Sequence, residues 1–181
     1  MIFRKLTRIV SLILYYGLLQ FLPATNNRYF TFIRPIRSAV AKMCFDFAGK
    51  NVNIEQRANF GSGLGISIGE NSGIGQRCSV RGPLIIGNNV MMGPEVIILT
   101  SNHSFERIDI PMATQKTLPK KGVKVGNDVW IGTRVIILPG ISIGHGVIIG
   151  AGSVVTRDIP DYAISCGNPA KTIRFRNEVI K

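Results

Sequence analysis

Residues 125–150 read VGNDVW IGTRVI ILPGIS IGHGVI IG, and set out in sixes they nearly repeat. Val125, Ile131, Ile137, Ile143 and Ile149 open the units, and Val155 continues the row. Glycine follows at positions 126, 132, 144 and 150. The fourth step brings a small or branched residue: Val129, Val135, Ile141, Val147, Ser153 and Ile159. The same pattern runs upstream through Ile68, Ile74, Val80, Ile86, Met92 and Ile98, with Gly69, Gly75, Gly87 and Gly93 after four of them. There the fourth-step residues are Ser72, Cys78, Val90 and Val96, with Leu84 as a larger exception. A weaker stretch holds Ile54, Ala58 and Phe60.

A period of six matches neither the 3.6-residue turn of a helix nor the two-residue alternation of a strand sustained over a long run. It matches a triangular coil in which each hexapeptide forms one flat side and one corner. The large aliphatic points inward, and glycine or a small polar residue takes the corner, where crowding and backbone geometry favour a missing side chain. Stacked sides then form parallel sheets, and each coil buries its apolar row on its neighbours. The row breaks twice. Between Phe60 and Ile68 the register slips by two residues, so Gly61, Ser62 and Gly63 are expected to form a bulge or an altered corner. Between Ile98 and Val125 the repeat is lost, and residues 100–122 read as a polar excursion loop. A long excursion from a regular solenoid is a common place for function.

The 181-residue chain carries a net charge of +12, unevenly spread. Residues 1–57 hold the basic side chains Arg4, Lys5, Arg8, Arg28, Arg34, Arg37, Lys42, Lys50 and Arg57 against Asp46 and Glu55. This asymmetry points to an anionic surface as partner. Nucleic acid is not expected, because no stacking aromatics interleave with a binding motif. Cys44, Cys78 and Cys166 fit neither a disulfide framework nor a zinc spacing, which suggests a reducing compartment. Residues 9–22, IVSLILYYGLLQFL, follow three basic residues and are too short to span a bilayer, which takes about 20 apolar residues. Two compatible readings follow: a helix capping the end of the domain, and an interfacial helix lying on the cytoplasmic face of a membrane. A cleaved signal is disfavoured by the poor small-residue site at residues 22–25 and the basic residues beyond it. The chain thus divides into an N-terminal helical, basic and apolar segment over 1–50 and a β-helix over 51–181.

From Asn51 to Arg174 the sequence resembles the hexapeptide-repeat acyltransferases, most closely the sugar O-acetyltransferase branch that includes the maltose and galactoside enzymes and those of capsule and exopolysaccharide pathways. The resemblance rests on IGNNVMMGPEV from Ile86, TSNH from Thr100 to His103, VGNDVWIG from Val125 and LPG from Leu138. It continues in IGAGSVVTRDIP from Ile149 and GNPAK from Gly167. It implies a left-handed parallel β-helix with a C-terminal tail, acetyl-CoA as co-substrate, and a homotrimer holding CoA at subunit interfaces. The implied acceptor is a saccharide in surface polysaccharide biosynthesis, reached in the cytoplasm or at the inner face of the membrane.

A sugar hydroxyl is a weak nucleophile and a thioester is already activated, so catalysis asks chiefly for a positioned base. An imidazole suits that task near neutral pH. His103 opens the excursion loop where the family's catalytic histidine stands, and direct transfer in a ternary complex is expected. No nucleophilic Cys or Ser pairs with His103 in sequence. Glu95, Glu106 and Asp109 are near enough in sequence to orient the ring, and none is assigned that role. His145 reads as an exposed turn residue. The resemblance assigns Trp130, the only tryptophan, to the pantetheine arm of CoA, and the repeat pattern puts it at a corner; trimer-interface packing is the alternative. Further CoA contacts map onto Thr133, Ala151, Thr156, Arg157, Lys171 and Arg174, whose cations suit the phosphates at one end of the prism. Gly73 and Arg81 stand where galactoside-type enzymes hold the sugar, so Arg81 suggests an anionic or nucleotide-linked acceptor instead. Other readings are N-acetylation of an amino-sugar, acetylation of serine or a xenobiotic, and a β-helical binding scaffold. A zinc-dependent activity on this fold would need three histidines, and no metal is expected.

Overall fold

The computed structural model describes residues 2–24, 29 and 31–176; Arg28 of the basic N-terminal set and the last five residues lie outside them. Helices α1 (Ile2–Gly17) and α2 (Ile33–Lys42) precede a three-sided parallel β-helix. Face one stacks β1 (Phe47–Ala48), β3 (Ile66–Ile68), β6 (Leu84–Ile86), β9 (Val123–Val125) and β12 (Ser142–Ile143). Face two begins with β2 (Asn53–Ile54) on β4 (Gly73–Ile74), and the Gly73 amide bonds the Val90 carbonyl just before β7 (Met91–Met92). It continues through β10 (Trp130–Ile131), β13 (Ile148–Ile149), β15 (Ala163–Cys166) and the antiparallel β16 (Lys171–Phe175). Face three stacks β5 (Ser79–Val80), β8 (Ile97–Ile98), β11 (Ile136–Ile137) and β14 (Val154–Val155). The chain visits the faces in turn, and corner partners such as Asn71 and Asn89 are 18 residues apart, one coil.

The inward row is the sixfold row of the sequence. Ile68, Ile74, Val80, Ile86 and Ile98, then Val125, Ile131, Ile137, Ile143, Ile149 and Val155, are all buried, and Met92 packs on them half-buried. The fourth-step residues are buried too, Leu84 included. This is a continuous aliphatic column. At about 25 cal/mol per Å² of apolar surface removed from water, it is the principal stabilising contribution.

The corners correct one part of the expectation. Glycine after the inward residue does not supply a left-handed backbone; it supplies space. A Cβ on Gly75 would overlap the carbonyl oxygens of Met92 and Gly93 in the next coil, and one on Gly87 would overlap those of Gly126. The left-handed residue comes two positions later. It is Asn71 (φ 56°), Arg77 (53°), Asn89 (58°), Glu95 (60°), Asp128 (56°) or Arg134 (59°), and glycine only at Gly140, Gly146 and Gly152. Asn and Asp tolerate this region better than most side chains. The slip after Phe60 is a glycine turn, with Gly61, Gly63 and Gly65 all at positive φ. One corner is tied by a column of side-chain acceptors. Asn88 Oδ1 takes the Glu70 amide (2.7 Å), Asn127 Oδ1 the Asn88 amide (2.8 Å), and His145 Nδ1 the Asn127 amide (3.0 Å). His145 is therefore an exposed corner residue with a structural bond.

The first coil has no coil beneath it, and the helices close its open end. Tyr15, Phe45 and Phe60 plug the prism with ring centroids 4.6 and 4.9 Å from Phe60. Tyr15 also donates to the Ala58 carbonyl at 2.8 Å, and burial holds its phenol neutral far above the ordinary range. Arg37 of α2 is wholly buried. Its guanidinium donates to the carbonyls of Ile54 (2.7 Å), Leu22 (3.1 Å) and Pro23 (3.0 Å) and meets Glu55 at 3.3 Å.

Candidate active site

After β8 the chain does not turn directly into face one. It runs out and back as an irregular hairpin, with the Ser104 amide on the Lys116 carbonyl, the Leu118 amide on Asn102, and His103 bridged to Thr117. The base is closed by the Lys121 amide on the Thr100 carbonyl (2.8 Å) and by the buried Thr100 hydroxyl on the Gly82 carbonyl (3.1 Å). His103 thus stands on a tethered arm just beyond a rigid corner, with its side chain exposed. No side chain among the described residues bonds its imidazole. Two of the three acids near it in sequence are engaged elsewhere. Glu95 bridges Arg134 (2.6 Å) and Arg77 (2.7 Å) at the corner between faces two and three, and these hydrogen bonds hold its carboxyl below the usual range. Asp109 is paired with Arg107, which lowers its carboxyl likewise. Glu106 is exposed.

The residues expected to meet CoA are all exposed and fall into two groups. Trp130 lies on the flat of face two, not at a corner, because it precedes the inward Ile131 on β10 and so points outward. It begins a row across β13, β15 and β16: Trp130 pairs with Ile148, Ile148 with Ile164 and Ile164 with Arg174. Three strand spacings put Arg174 about 14 Å from Trp130 along that face. Lys171 begins β16, whose preceding turn is pinned by the Ala170 amide on Val154 (2.8 Å). Thr133 and Ala151 follow one another at the corner between faces two and three, where the Gly152 amide bonds the Thr133 carbonyl (2.8 Å). Thr156 and Arg157 follow β14 at the other corner of face three, the corner from which the His103 hairpin leaves. Arg157, Lys171 and Arg174 therefore share the C-terminal end of the prism but not one face.

In a three-sided prism the corner between faces three and one is opposite face two. Sides of about six residues make that separation about 15 Å through the aliphatic core. Within one chain, His103, Thr156 and Arg157 lie on the opposite side of the prism from Trp130 and Arg174.

Sequence reasoning missed the neighbours of Trp130. Met91, directly across in β7 and 62 % exposed, lines a cavity of about 130 Å³ with Trp130, Ile148 and the ion pair Asp128–Arg176 (2.8 Å). The signal was available, since Met91 holds the position before the inward Met92 just as Trp130 precedes Ile131. Arg81 sits one coil below the start of the hairpin, at the same corner. Its Nη1 donates to the carbonyls of Asn59 (3.1 Å) and Val80 (2.8 Å), and its side chain lies over Gly61. Gly73 is on face two, so the structure does not bring it to Arg81. No cluster of three potential metal ligands occurs among the described residues.

The chain matches known proteins over most of its length. The bacterial transferase hexapeptide (six repeats) model matches residues 122–157. A galactoside O-acetyltransferase of Escherichia coli (strain K12) is 33% identical over 144 residues, covering 78% of this chain and 70% of that protein. A putative acetyltransferase of Schizosaccharomyces pombe is 39% identical over 123 residues, or 67% of this chain, and the chain spans 58% of its length. Among solved structures, a galactoside acetyltransferase in complex with coenzyme A is 28% identical with a TM-score of 0.78, over 96% of this chain and 82% of that one. Repeat, coil geometry and relatives agree, and the chain belongs to the hexapeptide-repeat acetyltransferases, the acyltransferases built on a left-handed β-helix.

Proposed function

We propose that the protein transfers the acetyl group of acetyl-CoA to a saccharide hydroxyl in the assembly of a surface polysaccharide, with His103 as general base. The hydroxyl oxygen attacks the thioester carbonyl carbon as its proton passes to the His103 imidazole. Backbone amides stabilise the tetrahedral oxyanion. Its collapse breaks the C–S bond, and the CoA thiolate leaves, taking the proton back from the imidazolium. Both substrates are bound together, and no acyl-enzyme forms.

The observation that carries this reading is the opposition of His103 and Trp130 across the prism. A site using both draws them from two copies, which supports a homotrimer with CoA in the cleft between prisms. One copy contributes His103, Thr156 and Arg157, and its neighbour contributes face two with Trp130, Lys171 and Arg174 and the adjoining corner with Thr133 and Ala151. The relative solved with coenzyme A supports CoA as the donor's carrier. Arg81 spends one nitrogen on backbone carbonyls. The remaining guanidinium donors favour an acceptor bearing an anionic group, such as a nucleotide- or lipid-linked sugar. The enzyme works in the cytoplasm, at the inner face of the membrane.

The test is thiol release from acetyl-CoA across neutral, nucleotide-linked and lipid-linked sugars, with mass spectrometry of the products. An acceptor-dependent gain of one acetyl group on oxygen is expected. Binding of acetyl-CoA without transfer to any saccharide would overturn the substrate class, and absence of acetyl-CoA binding would overturn the reading altogether.

A further inference from the structure

Helix α1 packs Leu12, Tyr15 and Tyr16 on the first coil, yet it leaves a second apolar stripe facing away from the domain. A helix packed on a water-soluble domain turns its apolar stripe to the core and its charges to water. Here Arg4 and Arg8 turn inward, Arg4 to the Asp46 carbonyl (3.0 Å) and Arg8 to the Asp46 carboxylate (2.9 Å). The outward stripe is Phe3, Leu6, Ile9, Val10, Ile13 and Leu14. All are exposed, Phe3 to 83 % and Ile13 to 69 %, and no charged residue interrupts them. Ile36 of α2 and Met43 just beyond it extend the surface, across a groove whose lining is mostly apolar (Leu6, Val10, Leu14, Val40 and Met43, with Thr7 and Ser11).

The helices are held rigidly in this attitude. Besides Tyr15 and Arg37, the Tyr16 hydroxyl donates to the Gly61 carbonyl (3.1 Å) and accepts from the Phe60 amide (3.0 Å). Since both helices lie across the first coil, their outward surface is the N-terminal end face of the prism. Neither helix contains an acidic residue. Helical spacing puts Lys5 on the flank of α1 away from the groove and Lys42 on the far flank of α2, so cations edge the apolar surface on both sides. Such a surface, apolar at its centre and basic at its rim, suits the boundary between headgroups and acyl chains of an anionic bilayer. Spanning is not the mode: no described helix is long and apolar enough to cross a membrane.

We infer that the α1–α2 end face docks the protein on an anionic lipid surface, with the prism axis upright on the membrane. This rests on the reading that the acceptor is membrane-borne and gives that reading a geometry. The His103 hairpin leaves the third coil, two strand spacings above the first. With one helix thickness below, it stands about 20 Å from the lipid surface, within reach of a short lipid-linked glycan.

The experiment is co-sedimentation of the full chain with vesicles of phosphatidylglycerol and phosphatidylcholine in equal parts, against phosphatidylcholine alone. Wild type is expected on the anionic vesicles, with release as salt is raised. The double variant Val10→Glu/Ile13→Glu is expected to partition roughly a hundredfold less, about one factor of ten per buried aliphatic. Lys5→Glu/Lys42→Glu is expected to lose the preference for anionic lipid. Circular dichroism and turnover of a soluble acceptor, unchanged in both, exclude misfolding. Equal sedimentation of wild type and Val10→Glu/Ile13→Glu would overturn the inference. So would a wild type that ignores vesicles but self-associates through this face, changing mass in light scattering when the face is charged. Retained turnover of the soluble acceptor in either case would leave the transferase reading intact.

Discussion

Mixing two inactive variants tests whether the site is shared between copies. His103→Ala removes the proposed base, and general-base catalysis is worth about 10²–10⁴-fold in rate. Trp130→Ala removes the largest exposed side chain of face two. Removing an aromatic anchor of this kind weakens binding by about 2 kcal/mol or more, some thirtyfold at limiting acetyl-CoA. Each variant alone is therefore expected to be nearly silent at limiting donor. The His103 corner and face two lie on opposite sides of the prism, so in the proposed trimer every site would pair the corner of one copy with the face of the next. When equal amounts are denatured together and refolded, a site is intact only if its corner comes from a Trp130→Ala copy and its face from a His103→Ala copy. Random cyclic assembly gives that combination in about one site in four. Thiol release at limiting acetyl-CoA should rise to about a quarter of wild type after co-refolding, and not after simple mixing of folded trimers. Activity after co-refolding that equals the mean of the two parents would refute the shared site.

The repeat gives a second prediction in the form of a contrast. Gly75→Ala drives a methyl into two backbone carbonyls of the next coil, which cannot move without unstacking it, so a loss of about 3 kcal/mol is expected in thermal melts. A Cβ on Gly152, at φ 72°, meets nothing within 4 Å, so Gly152→Ala should cost only the left-handed backbone, about 1 kcal/mol. Arg37→Ala strips the buried clamp from the Ile54, Leu22 and Pro23 carbonyls, removes one arm of the Glu55 ion pair and opens a cavity under α2. It should destabilise by about 3–5 kcal/mol, with amide exchange accelerating first in α2 and the first coil. Burial pushes the Cys44 and Cys78 thiols up to about 11, so both stay protonated and shielded at pH 8. A thiol reagent should modify the half-buried Cys166 alone in the folded protein and all three cysteines after denaturation, as read by mass spectrometry.

The inward column was legible because it is a pattern of one residue class at one spacing: every aliphatic from Ile68 to Val155 in the two rows points where the period says. The corners were less legible. A glycine at position 75 or 87 reads as a conformational requirement, whereas its cause is the carbonyl of a coil 18 or 39 residues away, and the left-handed position is filled by Asn, Arg and Glu as readily as by glycine. The repeat pattern places Trp130 one step off, at a corner, since a flat side and a corner differ only in which residues flank the inward Ile131. Glu95 looked free to orient His103 because eight residues separate them in sequence. Stacking instead brings Arg77 from one coil below and Arg134 from one coil above to claim it. Arg37, one of several basic residues in the N-terminal segment by composition, is a buried structural cation, because only the fold turns the Ile54, Leu22 and Pro23 carbonyls toward one point.

Everything proposed for the chemistry turns on His103 taking the acceptor's proton. The most direct test is turnover of His103→Ala at saturating acetyl-CoA and acceptor, with acetyl-CoA affinity measured separately by calorimetry. kcat is expected to fall by about 10²–10⁴-fold, with donor affinity within about twofold of wild type, because the proposed base would touch the reacting proton and not the CoA chain. Undiminished kcat in His103→Ala would contradict it.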